Sequence, residues 1–144
     1  MEDRYLFKGK RIDNGEWITG YLLVKKKDFY ICEKPYECMD EYSSLNGQSY
    51  GFGGFKFVDP STICQCAGLK DRNGKLIFEN DIVKRVDKIN IFREQPSMNC
   101  KVVWTYNYGF DTLPSCGYFD KSDGLECEVV GNIFDNPELL EVGL

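Results

Sequence analysis

Seven cysteines, no histidine and several close carboxylate pairs set the chemistry open to this 144-residue chain. Without histidine there is no Ser-His-Asp or Cys-His mechanism, and the usual zinc and iron sites lose their commonest ligand. Cys64 and Cys66 form the only close thiol pair. Residues two apart on a strand share a face, so in principle the pair could hold a soft metal. Tetrahedral zinc would need two more thiolates from distant cysteines, and no C-x-x-C spacing occurs. The pair therefore reads as packed thiols. Glu79 and Asp81 are spaced for glycosidase-type or metal-type chemistry. They stand in a tight turn, where Asp81 is better employed accepting backbone N–H groups. The run Gly47-Gln48-Ser49-Tyr50-Gly51-Phe52-Gly53-Gly54 invites comparison with a phosphate loop. It lacks the closing Gly-Lys-Ser/Thr, and no helix pattern follows. No catalytic, cofactor-binding or metal-binding residue is assigned, no cofactor is expected, and the chain is read as not an enzyme. A carboxylate enzyme ranks third among the readings.

Two segments are suited to contacts. Lys8, Lys10, Arg11, Lys25, Lys26 and Lys27 could gather on one side with Tyr5 and Tyr21, as a nucleic-acid face requires. The net charge of −5 opposes this, because counterion release needs several converging cations. The imbalance is concentrated at one end: from Asp111 to Leu144 the only cation is Lys121. That end reads as a solvated acidic face. The second segment, Lys34 to Gly54, carries Pro35, four glycines, Tyr36, Tyr42, Leu45, Tyr50 and Phe52. It reads as a long loop, mobile in the monomer and ordered in a protein contact, including one with a second copy.

The elements that must position these residues are short strands. Asp13-Asn14-Gly15 and Asn73-Gly74 are hairpin signals, since Asn and Gly accept positive φ. Strands are expected at Tyr5–Gly9, Glu16–Val24, Phe29–Cys32, Phe55–Val58, Ile82–Ile91, Cys100–Tyr106 and Cys127–Val130, with a hairpin over Leu69–Phe78. Asn107 to Gly124 reads as turn-rich, with a short strand at Tyr118-Phe119. Asn136-Pro137-Glu138 has the N-cap, first-position proline and acidic first turn of a short C-terminal helix. The fold class is thus mainly β, a small barrel-like or packed-sheet architecture. Asp71 to Lys84 forms an SH3-like hairpin-turn-strand unit within it. Residues 1–144 read as a single domain, with two lobes at about 1–60 and 61–144 sharing a core as the variant.

Apolar residues make up 42% and aromatics 15%, enough apolar area to offset the entropy of ordering. No apolar run reaches the roughly 20 residues that span a bilayer. The first residues, Met1-Glu2-Asp3-Arg4, lack the apolar core of a signal peptide, so a cytoplasmic location is expected, with no membrane partner. An odd number of cysteines argues against a disulfide framework.

Three ordered segments carry a resemblance. Ala67 to Lys84 reads AGLKDRNGKLIFENDIVK, similar to the TGLKDKNGKEIYEGDIVK signature of the YopX family. Arg4 to Arg11 with Gly15-Glu16-Trp17 and Gly20-Tyr21-Leu22 resembles the family's start. Glu128 to Leu140 resembles its end. Cys64 and Cys66 fill places that the family gives to residues without thiol chemistry, and Asn80 replaces the usual glycine. The resemblance implies a phage- or prophage-encoded protein without an assigned reaction. The leading expectation is a non-enzymatic interaction or self-assembling accessory protein. Its partner would be a host protein, a phage protein or a second copy. The alternative is a nucleic-acid-associated regulator using the basic N-terminal third.

Overall fold

A computed structural model of the chain describes residues 5–33, 54–86, 97–107, 109–116, 119 and 127–140. Among these the protein is mainly β, built of antiparallel strands with no helix longer than a single 3-10 turn. None of the helical turns is long and apolar enough to cross a membrane. The chain divides into two compact units, one of residues 5–65 and one from residue 66 onward.

The first unit contains β1 (Phe7–Lys10), β2 (Trp17–Lys25), β3 (Asp28–Cys32) and β4 (Phe55–Phe57), paired in sequence order. Gly15 at φ 73° makes the turn into β2. Ile18, Ile31 and Val58 form the core, flanked by Phe7, Leu22, Phe29 and Ile63. The strands close on themselves. Arg11 bridges to Val58, Ile12 N–H donates to the Phe57 carbonyl, and Asp59 N–H donates to that of Lys10. Two glycines permit this closeness. A Cβ at Gly9 would lie 3.2 Å from Val58, and one at Gly20 only 2.2 Å from the Cys32 carbonyl oxygen.

β5 (Cys64–Lys70) runs from the first unit into the second. Its first two residues pair with β1, as Phe7↔Gln65 and Lys8↔Cys64. Between this pairing and the Arg11–Val58 bridge, the 3-10 turn Pro60–Thr62 interrupts the ladder. Thr62 repairs it: the buried hydroxyl accepts from Lys10 N–H at 2.8 Å and donates to the Asp59 carbonyl at 2.7 Å.

In the second unit β5 forms a hairpin with β6 (Leu76–Phe78), register Lys70↔Leu76, with Gly74 at φ 81° in the tip. Glu79–Asn80 turns the chain into β7 (Asp81–Val86). β7 lies between β10 (Glu128–Asn132) and β8 (Ser97–Thr105), and β8 carries β9 (Gly109–Leu113) on its far side. Ile77, Val83, Cys100, Val102, Cys116 and Cys127 form the core. The hairpin, tight turn and strand of Asp71 to Lys84 are all present.

Several sequence readings are corrected. Gly109–Leu113 is a strand, not turn; its alternation of Phe110 and Thr112 against Asp111 is too brief to stand out among glycines and polar residues. Phe119 lies outside any strand. The C-terminal helix is only a 3-10 turn, Pro137–Leu140. Asn136, read as its N-cap, instead turns its side-chain oxygen back to accept from Asn132 N–H at 3.3 Å. A Cβ at Gly131 would meet that oxygen at 2.6 Å. Cys32 is disulfide-bonded; an odd cysteine count requires only that one thiol be left over. The Lys34–Gly54 loop, apart from Gly54, and the 87–91 end of the Ile82–Ile91 strand also lie outside the described residues.

Candidate functional site

The carboxylates hold turns. Asp71 is buried; its Oδ1 accepts from Asn73 N–H and Lys75 N–H, and its Oδ2 from Val129 N–H, each at 2.9 Å. Burial pushes its pKa up, but the three N–H groups of Val129, Lys75 and Asn73 outweigh that and hold it below the ordinary carboxylate value. Asp81 is buried and accepts from Phe78 N–H at 2.8 Å, closing the turn as its position suggested. Glu79 is half-buried beside it. A carboxylate already committed to backbone donors is a poor general acid, because its proton would displace a hydrogen bond.

Cys64 and Cys66 share the buried face of β5, with Gln65 exposed between them. Cys64 Sγ donates to the Thr62 carbonyl at 3.2 Å, and Cys66 Sγ accepts from Gly68 N–H at 3.4 Å. Among the described residues no group of three or more histidine, cysteine or acidic side chains is arranged to hold a metal ion.

The basic N-terminal set divides. The Lys8 and Lys10 ammonium groups both stand over the Trp17 ring, at 4.9 and 5.4 Å from its centroid. The register places Lys8, Lys10, Trp17, Thr19 and Tyr21 on one face of β1–β2. Arg11 turns away to a two-point ion pair with Asp13. Lys25 and the Lys26-Lys27 turn stand at the other end of β2, about 26 Å along an extended strand from Trp17. The sequence grouped these cations; strand direction separates them.

Sequence reasoning missed two features of the second unit. Arg85 is buried on β7, its Nη1 donating to Thr112 Oγ1 at 2.6 Å and lying 4.0 Å from Asp111 Oδ1. Its guanidinium faces the Phe119 ring at 4.9 Å. Thr112 Oγ1 in turn donates to the Pro114 carbonyl. The inward parity of Asp81, Val83 and Arg85 on one strand was the available signal. The second feature is the β8–β9 hairpin. Trp104 is 58% exposed, Tyr106 98% and Leu113 58%. Trp104 meets Phe110 edge-on at 4.9 Å.

No curated protein matches this chain. Among solved structures, the crystal structure of protein EF1440 from Enterococcus faecalis is similar, with 22% identity and a TM-score of 0.59 over 94% of this chain and 96% of that one. That likeness supports the fold alone. Residues 10–141 match the family described as YopX protein, so the sequence resemblance extends over most of the chain and the protein belongs to the YopX family.

Proposed function

We propose that this chain is a phage- or prophage-encoded, non-enzymatic protein that acts in the cytoplasm of a bacterial host by binding another protein through its β8–β9 hairpin. The observation that supports this reading is the pair Trp104 and Tyr106, both largely exposed, at the tip end of one hairpin, with Leu113 exposed on its other face. Trp and Tyr dominate protein contacts because they supply large area for little rotamer entropy. Burying each such side chain contributes roughly 1.5–3 kcal/mol before ordering is subtracted. The described carboxylates and thiols that sequence singled out are meanwhile engaged in turns and core.

The test is affinity capture from host lysate, paired with size-exclusion chromatography and light scattering over a range of concentration for the self-association case. Wild type should retain a defined partner or dimerise. Trp104→Ala with Tyr106→Ala should lose that contact while keeping the wild-type circular dichroism spectrum. Retention by the double variant would overturn the role of the hairpin.

A second reading, a nucleic-acid-associated regulator, is favoured by the two ammonium groups over Trp17. Labelled single- and double-stranded oligonucleotides titrated at low and moderate salt test it. Binding that weakens with salt and with Lys8→Gln and Lys10→Gln would support it. Salt-insensitive or absent binding would remove it.

A further inference from the structure

Two thiols meet at the base of the same hairpin. Cys100 on β8 and Cys116, three residues beyond β9, are both buried, with sulfurs 3.8 Å apart. The register sets Lys101 opposite Leu113, so the chain between the two cysteines is the β8–β9 hairpin itself, including Trp104, Tyr106, Phe110 and Leu113. A bond of about 2 Å between the sulfurs would need them to approach by less than a methyl group's diameter. Cys116 is buried, and Leu113, Pro114 and Ser115 immediately before it are exposed. Cys100 sits on an inner strand of the sheet.

We propose that Cys100 and Cys116 are a dithiol that a low-molecular-weight disulfide converts to an intrachain disulfide, closing the β8–β9 hairpin at its base. In the first step Cys116 Sγ loses its proton and attacks one sulfur of the reagent disulfide. A mixed disulfide forms and one thiolate leaves, to be protonated to a thiol. In the second step Cys100 Sγ attacks the Cys116 sulfur as its proton passes to the departing reagent thiolate, so that the second reagent molecule leaves as a thiol. Two protein thiols are oxidised by two electrons, and one reagent disulfide is reduced to two thiols. Burial raises the Cys100 pKa to about 12, with Cys116 adding to the rise and Thr112 and Arg85 opposing it. Cys100 therefore remains a thiol at neutral pH, and exchange waits for the 113–116 segment to open. The effect on binding rests on the hairpin reading above; the bond itself does not.

The experiment is intact mass and non-reducing tryptic mapping of wild-type protein incubated with oxidised glutathione. Expected is a mass loss of two hydrogens, with peptide 94–101 linked to peptide 102–121. In Cys100→Ser the glutathione adduct should persist on Cys116. In Cys116→Ser, Cys100 should stay a thiol. Oxidised wild type should also resist proteolysis within 102–115 more than reduced protein does. Native protein that keeps both thiols after this treatment, or that links Cys116 to Cys127 instead, overturns the proposal. Loss of partner capture in the Trp104 and Tyr106 variant is a separate readout, so failure of the interaction reading leaves the mass result intact.

Discussion

The Asp71 carboxylate accepts the backbone N–H of Val129, 58 residues later in the chain, at 2.9 Å. Its other oxygen closes the β5–β6 turn through Asn73 and Lys75. A local turn signal thus also fixes where β10 begins. Arg72 strengthens the link: its N–H donates to the Cys127 carbonyl and its guanidinium pairs with Glu128.

Asp71→Asn should destabilise the protein by about 1–3 kcal/mol, because an amide NH2 would face an N–H that needs an acceptor. Urea denaturation measures this. The native Asp71 pKa is depressed. Its contribution to stability is therefore complete above the ordinary carboxylate value of about 3.9 and is lost as pH falls below that through the native pKa. Wild type should lose stability over that acid window more steeply than Asp71→Asn does. Equal pH slopes would contradict the assignment.

Thr62→Val keeps the volume and removes the hydroxyl. Lys10 N–H then loses the Thr62 hydroxyl as acceptor where the 3-10 turn interrupts the ladder. A loss of about 1–3 kcal/mol is expected, with Thr62→Ser costing less. Thermal melts of the two variants side by side provide the check.

Asn80 has φ 70°, its N–H donates to the Val102 carbonyl, and its own carbonyl accepts from Ile133 N–H. Asn80→Gly should keep stability close to wild type. Asn80→Val should cost about 1–2 kcal/mol from left-handed backbone strain. A valine variant as stable as the glycine variant would show that this turn has another conformation to adopt.

Gly20→Ala should be among the most damaging single changes. Its Cβ would sit 2.2 Å from the Cys32 carbonyl oxygen, and the obstacle is backbone rather than a movable side chain. Poor soluble yield, or a cost above about 4 kcal/mol, is the expected outcome. At Gly15 a Cβ meets nothing within 4 Å, so Gly15→Ala should pay only for its positive φ.

Tyr106→Ala should change stability by less than about 0.5 kcal/mol, as fits a side chain that is 98% exposed. Trp104→Ala should cost about 0.5–1.5 kcal/mol through the lost edge contact with Phe110. Chemical denaturation distinguishes the two. A large cost at Tyr106 would mean that the ring supports the fold rather than standing available for a partner.

Local structure is legible in the residues. Asn73-Gly74, Asn80 and Gly15 specify their turns because positive φ is a property of single residues. The alternation of β2 and the run of short strands specify a mainly β chain because side-chain parity is set within a strand. The three family segments can be read for the same reason, since a motif is contiguous. Which distant groups meet is a property of the assembled sheets. Lys8 and Lys10 share Trp17 while Lys25 to Lys27 do not, because antiparallel pairing joins one end of β2 to β1 and sends the other end away. Asn136, by pattern an N-cap, bonds backward to Asn132 because Gly131 leaves room there. Asp71 finds Val129, and Cys100 finds Cys116, through registers that no local spacing encodes. Such pairings follow from how several strands are ordered together, and that order is settled by the burial of Ile77, Val83 and Val102 in one core.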